Sequence, residues 1–255
     1  MTLTELRSAT TPAAPRALPA HAPAPGADQA ARQRREPRAA PLSLHSVTKR
    51  WRGARVAILD RVTLTLEPGT MTWLGGRNGV GKTTLLRIAA GLIEPDAGEV
   101  EVWGESARAN RVRYQRLVSL LAAGDRGLYA RLSVRGHLDF CARIAMLPRS
   151  ELERAVARAI DDFGLEELAA RRVDRISMGQ RQRLRMAMAF LPRPEIVLLD
   201  EPLTSLDAEG AEILRCATAE VLARDGAVLW CSPERELRVR FDARFALEHG
   251  RLVGA

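Results

Sequence analysis

Eight residues, Gly76-Arg77-Asn78-Gly79-Val80-Gly81-Lys82-Thr83, satisfy the spacing G-x-x-x-x-G-K-[ST], and they constrain the architecture more than any other stretch of the chain. Glycines at these positions let the backbone curl so that successive N–H groups converge on phosphate oxygens. A helix starting at Thr83 adds the positive end of its dipole. The flanks agree: Met71 to Leu74 reads as a short buried strand running into the glycines, and Thr83 to Ala90 as a helix ended by Gly91. A glycine turn arising by chance would have neither flank. In this arrangement Lys82 reaches the β and γ phosphates, the Thr83 hydroxyl binds Mg²⁺, and Thr84 extends the cradle into the first helical turn. Only Lys49 and Lys82 are lysines among 39 cationic residues, so arginine gives way to lysine inside the loop, where a compact ammonium fits and a planar guanidinium does not.

A second apolar run, Ile196-Val197-Leu198-Leu199, ends in Asp200-Glu201. Taken alone, an apolar strand with an acidic end is structural. Following a phosphate loop, it reads as a buried parallel strand delivering two carboxylates to the edge of the sheet where ligands gather. Asp200 suits the Mg²⁺-organising role, and Glu201 suits orientation and deprotonation of an attacking water.

Around these motifs the chain changes character several times. Residues 1–41 hold half of the 14 prolines, much alanine and the cluster Arg32, Arg34, Arg35, Arg38, without a hydrophobic period; they read as a disordered tail. Its basic end could meet acidic lipid headgroups or remain solvated. From Leu42 to Thr48 and Val62 to Leu66 short alternating strands suggest an antiparallel β layer closed by Pro68-Gly69. Residues of about 105–190 are rich in Arg, Ala and Leu at helical spacing, notably Leu138 to Met146 and Leu152 to Phe163, and read as a helical subdomain. A helix from Met178 to Leu191, the strand at Ile196, a helix from Ala208 to Ala223, the strand Ala227 to Cys231 and a last strand near Arg244 to Leu247 restore α/β order. The fold class expected for residues 42–255 is therefore α/β, a P-loop NTPase core with an antiparallel β subdomain and a helical subdomain.

No apolar run approaches the roughly 20 residues of a membrane span, and Met1 to Thr11 is too polar for a secretory signal, so the chain is expected to face the cytosol. Cys141, Cys216 and Cys231 are odd in number and widely spaced, and they read as reduced thiols. A net charge of +8 raises the question of nucleic acid, but the cations are dispersed and form no helical stripe with interleaved aromatics.

With Ile176-Ser177-Met178-Gly179-Gln180 before the Met178 helix and Ser205-Leu206-Asp207 after Glu201, the segment from about 42 to 254 resembles the nucleotide-binding domain of ABC transporters. The resemblance implies that Ser177, Gly179 and Gln180 cap the γ-phosphate of ATP held by the opposite subunit. A helix N-terminus offering a hydroxyl and free N–H groups suits an anion, although a serine cap on an ordinary helix looks the same in sequence. It further implies that Trp51 stacks on adenine, the alternative being a core tryptophan. By the same resemblance Asp207 links the two sites of a dimer, and Leu128-Tyr129-Ala130-Arg131-Leu132-Ser133 meets a membrane partner.

Two departures stand out. Where the family carries a glutamine that senses Mg²⁺ and the membrane domain, this sequence has Gly124-Asp125; Asp125 is either a substitute oxygen ligand or a loop residue. Where the family carries a histidine after the strand ending at Cys231, it has Ser232-Pro233-Glu234, which implies slow turnover, the alternative being that Ser232 or an ordered water fills the gap. The resemblance implies an ATPase using ATP and Mg²⁺, paired as a homodimer or heterodimer. It also implies a separate transmembrane permease subunit at the cytoplasmic face of the membrane. The Gly127 to Ser133 segment suggests an exporter. Two alternatives remain: a degenerate, regulatory half of a heterodimer with little hydrolysis of its own, and a soluble ATPase acting on nucleic acid. The second is disfavoured because no paired ATP domain or long coiled coil is present, and no nucleic-acid partner is expected.

Overall fold

The computed structural model describes residues 39–124, 127–234 and 239–254. Of the tail read as residues 1–41, residues 1–38 and the ligand reading of Asp125 lie outside the described residues; residues 39–41 are ordered, the Ala40 and Pro41 carbonyls accepting the Trp103 N–H at 3.1 and 3.2 Å.

Two sheets form the framework. The smaller has strand order β2-β1-β4-β5, with β1 (Leu42–Lys49), β2 (Leu59–Leu66), β4 (Ala97–Val102) and β5 (Glu105–Ser106) all antiparallel. The larger has order β10-β9-β3-β8-β7-β6, in which β3 (Met71–Gly75), β6 (Val118–Leu121), β7 (Ile196–Asp200), β8 (Ala227–Cys231) and β9 (Ala243–Glu248) run parallel. The remaining strand, β10 (Arg251–Gly254), turns back beside β9. His249 and Gly250, both at positive φ, make that reversal, as expected of a turn.

Strand β7 shows how the sheet separates two cores. All five of its residues are buried, and successive side chains point to opposite faces. Ile196 and Leu198 join Leu42, Leu44, Leu59 and Leu66 of the antiparallel layer and Leu85, Leu86 and Ile88 of helix α1 (Lys82–Ala89) in one cluster. Val197 and Leu199 join the other, which holds residues of α3 (Val134–Ile144), α4 (Arg149–Asp162), α5 (Met178–Phe190) and α6 (Ala208–Ala223). The phosphate-loop helix is therefore sandwiched between the sheets.

The stretch read as helical contains, besides the short helix α2 (Arg111–Leu117), a strand: Val118–Leu121 pairs in parallel with β7 along Val118/Ile196 to Leu121/Leu199. Four residues are too few to show a period, and the pairing with β7 overrides the helical tendency of the surrounding Arg and Leu. Strands β4, β5 and β10 likewise had no distinct pattern in sequence.

Candidate functional site

In the parallel sheet β8 lies between β3 and β7, so the carboxyl ends of all three strands share one edge. This is where an open α/β sheet leaves a crevice. The loop leaving β3 turns through Gly76 (φ 130°), Gly79 (φ 80°) and Gly81 (φ 115°) before α1 begins at Lys82. Packing adds to the conformational demand at two of these. A Cβ on Gly76 would lie 2.6 Å from the carbonyl oxygen of Leu247, and one on Gly81 would lie 2.9 Å from that of Ile58. The Lys82 ammonium, buried under the loop, donates to the carbonyls of Gly76 at 2.6 Å and Arg77 at 3.1 Å. Thr83 Oγ1 donates to Asp200 Oδ2 at 2.8 Å, across 117 residues of sequence. A cavity of about 400 Å³ is lined by Trp51, Ile58, Asn78, Gly79, Gly81, Lys82, Thr83, Thr84, Asp200 and Glu201. The residues singled out around the loop and the two carboxylates thus meet in one place, while Gly76, Arg77 and Val80 shape the turn behind it.

These residues suit ATP and its metal. The loop leaves no room for a Cβ at Gly76 or Gly81, as backbone wrapped on phosphate demands. The adjacent Thr83 hydroxyl and Asp200 carboxylate are hard oxygen donors of the kind Mg²⁺ takes together with phosphate oxygens.

Glu201 sits just past β7 at φ 50°, a left-handed conformation uncommon for a glutamate. Its N–H donates to the Cys231 carbonyl at 2.8 Å, which pins the residue to the end of β8. Beyond lining the phosphate-loop cavity, Glu201 also borders a smaller one of about 70 Å³ with Ala123, Gly124, Met178, Gln182, Arg185, Thr204 and Ser205.

Trp51 is 46 % exposed, which excludes the core reading, and its ring forms a wall of the large cavity. The Lys49 ammonium stands 5.7 Å from the ring centroid. Lys49 is itself held by Asp96 Oδ1 at 2.8 Å and the Glu94 carbonyl at 2.9 Å, while Asp96 Oδ2 accepts the Arg50 N–H at 2.7 Å. The Lys49 hydrogen bond and then the Arg50 N–H hold the Asp96 carboxyl below the usual carboxylate range. Asp96 and Lys49 were not singled out by motif; the scarcity of lysine was the only sequence signal.

Ser177 caps α5 in a reciprocal box: its Oγ accepts from Gln180 N at 3.2 Å, and Gln180 Oε1 accepts from Ser177 N at 2.9 Å. Gly179 approaches closely, since a Cβ there would lie 3.0 Å from the Ser205 carbonyl oxygen. Ser177, Gly179 and Gln180 do not line the phosphate-loop cavity of their own chain. Asp207 caps α6 by accepting from Gly210 N at 2.7 Å and pairs with Arg183 at 3.0 Å. The Gly210 N–H and then Arg183 depress its pKa.

Ser232 is buried and fully engaged, accepting from Trp73 Nε1 at 3.0 Å and donating to the Glu234 carbonyl at 2.6 Å. It therefore does not present a free hydroxyl in place of a histidine, and Pro233 is exposed. Tyr129 is also exposed; its N–H donates to Nε2 of the buried His137 at 2.8 Å, and its ring contacts His137 and Phe140.

The comparisons with known proteins agree with one another. A family model described as ABC transporter matches residues 59–204. The ABC transporter ATP-binding protein NatA of Bacillus subtilis (strain 168) is 31% identical over 193 residues, spanning 75% of this chain and 78% of that protein. The Fe(3+) ions import ATP-binding protein FbpC of Escherichia coli (strain K12) is 34% identical over 167 residues, covering 66% of this chain but 47% of the relative, about half its length. Among solved structures, an ATP binding subunit of an ABC transporter superposes with a TM-score of 0.74 at 26% identity, covering 83% of this chain and 87% of that one. A dimeric ATP-binding cassette in a post-hydrolysis state with ADP and Pi shares the fold, with a TM-score of 0.73 at 21% identity over 83% of this chain and 96% of that one.

Proposed function

The chain belongs to the ABC transporter family as an ATP-binding, ATP-hydrolysing subunit, and we propose that it drives a separate transmembrane permease from the cytoplasmic face of the membrane. The observation that carries the assignment of the site is the convergence of Lys82, Thr83, Asp200 and Glu201 on one cavity of about 400 Å³. In this reading the loop N–H groups and Lys82 hold the β and γ phosphates, and the Trp51 ring takes the adenine. Thr83 and Asp200 would hold Mg²⁺, which would offset the charge developing on the transferring phosphate. Glu201 accepts a proton from the water whose oxygen bonds to the γ-phosphorus. The bond to the β-phosphate oxygen breaks as ADP and inorganic phosphate form.

Ser177, Gly179 and Gln180 lie outside their own chain's cavity, which favours their capping ATP bound to a second subunit. The exposed N-terminus of α5 is suited to that role. The exposed Tyr129, Phe140, Ile144 and Met146 supply an apolar surface for the permease on the α3 side. Among the described residues no helix is long and apolar enough to cross a membrane.

Export is the direction the segment 127–133 favours, and it is the direction to be tested, because relatives at similar identity are named importers. Substrate movement into inside-out vesicles would support export, and movement in the opposite direction would replace it.

A general base contributes roughly 10²–10⁴-fold, so Glu201→Gln should lower kcat by at least about 10²-fold while ATP still binds. Equal, vanishing rates in the wild type and the variant would overturn catalysis by this chain. Gly124 and Pro233 at the two departures favour a second reading, that of a regulatory half. It predicts an inactive isolated chain and activity restored on mixing with a homologous partner.

A further inference from the structure

Arg185 lies inside the molecule, 8 % exposed, on helix α5 among apolar neighbours Leu184, Met186 and Ala187. A guanidinium at that depth costs free energy unless its N–H groups find acceptors. Its Nη1 donates to Gln182 Oε1 at 2.8 Å, one helical turn earlier, and its Nη2 donates to the carbonyl of Ala122, just beyond β6. Gln182, also buried, uses its amide in the other direction, with Nε2 donating to the Pro202 carbonyl at 3.1 Å. Pro202 directly follows Glu201. A continuous chain of hydrogen bonds therefore runs from Ala122 through Arg185 and Gln182 to the peptide beside Glu201. Arg185, Gln182, Gly124 and Glu201 all border the same small cavity.

We infer that Arg185 and Gln182 are positioning residues that set the Glu201 carboxylate and tie it to the backbone just beyond β6 at Ala122. Glu201 is held at φ 50° by two anchors: its own N–H on Cys231 and the Pro202 carbonyl on Gln182. The first anchor is backbone and cannot be varied by side chain; the second depends on Gln182, whose amide orientation is fixed by Arg185. Misplacement of a reacting group by about 1 Å costs on the order of 10²-fold in rate, so the linkage has ample leverage.

The inference rests on the assignment of Glu201 to hydrolysis, and the test separates the two. Gln182→Glu keeps an acceptor for Arg185, strengthened by charge, but a carboxylate has no N–H to donate to Pro202. Purified full chain carrying Gln182→Glu should melt only a few degrees lower and keep its KM for ATP within twofold, with kcat lower by about 10- to 100-fold. Arg185→Met, which keeps chain length without the guanidinium, should lower kcat in the same way. Unchanged kcat in Gln182→Glu, or a KM for ATP that rises in parallel with the fall in kcat in both variants, would overturn the positioning role. Wild-type turnover in Glu201→Gln would instead overturn the assignment of Glu201.

Discussion

Thr83 Oγ1 donates to Asp200 Oδ2 at 2.8 Å and joins the start of α1 to the end of β7, two elements 117 residues apart in sequence. The carboxylate is buried, so this hydroxyl is part of what makes its burial tolerable. Thr83→Val removes the donor and should lower stability without nucleotide by about 1–3 kcal/mol, the usual cost of an unsatisfied buried acceptor. It should also weaken Mg²⁺-dependent ATP hydrolysis by at least about tenfold. Thr83→Ser, which keeps the hydroxyl, should do neither. Urea denaturation with and without Mg-ATP, beside steady-state hydrolysis, separates the two effects.

At the other end of the cavity, Asp96 places Lys49 and Lys49 faces the Trp51 ring. Asp96→Ala removes the acceptor of the Arg50 N–H and one of the two acceptors of the ammonium, leaving the Glu94 carbonyl, so the segment carrying Trp51 is held less firmly. The expected result is a rise of several-fold in the Kd for ATP with kcat nearly unchanged at saturation. Trp51→Ala should exceed this, since base stacking on an aromatic ring contributes about 1–3 kcal/mol. Binding of a triphosphate without a base should be equally weak in both variants and the wild type. Titrations with ATP and inorganic triphosphate check the pattern.

How much of this could be read in the sequence depended on whether the information was local. The phosphate loop is a contiguous motif whose glycines are required by backbone geometry at their own positions, so the cavity around Lys82 and Thr83 was legible, as were strand β8 and helix α6. Trp51 was ambiguous because nothing local fixes its exposure; Asp96, which holds the Lys49 that faces its ring, is brought there by the pairing of β1 with β4. Val118–Leu121 gave no sign of being a strand, since its partner is β7, about 78 residues on. Arg185 was one of three arginines on helix α5, and only its deeper burial distinguishes it from Arg181 and Arg183, which are half-buried. Ser232 or a water was the substitute considered for the histidine, because nothing local reveals that the Trp73 indole reaches Ser232 from 159 residues away, across the pairing of β3 with β8.

The three thiols should react in an order set by burial. Cys216 is exposed, Cys141 is partly covered with its thiol pushed up to about 11 by burial, and Cys231 is fully buried with its thiol raised further. The thiolate is the reactive form, so a raised pKa leaves little of it at neutral pH, and reactivity grows as pH climbs toward the pKa. At pH 7.5 an aromatic disulfide reagent should therefore modify one equivalent quickly, lost in Cys216→Ser. Cys141 should follow slowly and accelerate with rising pH, and Cys231 should react only on unfolding. Mass spectrometry of timed digests assigns each site.

The glycines of the loop make different demands, and the difference is testable. Gly79 stands at φ 80° with open space where a Cβ would go, so Gly79→Ala meets only the left-handed backbone cost of about 1–2 kcal/mol. Gly81, at φ 115°, would place a Cβ 2.9 Å from the Ile58 carbonyl oxygen, a backbone atom of the segment entering β2. That atom cannot move without shifting the antiparallel layer or the start of α1. Gly81→Ala is therefore expected to lose more stability than Gly79→Ala, by roughly a further 1–3 kcal/mol. It should also lose most ATP binding, because the α1 N-terminus that faces the phosphates is displaced. Gly79→Ala should still bind ATP within about tenfold of the wild type, as 1.4 kcal/mol of strain would allow if all of it fell on the bound state. Denaturation midpoints and fluorescent-nucleotide titrations of the two variants, measured side by side, decide the matter; equal behaviour would mean that the Gly81 contact with Ile58 yields without cost.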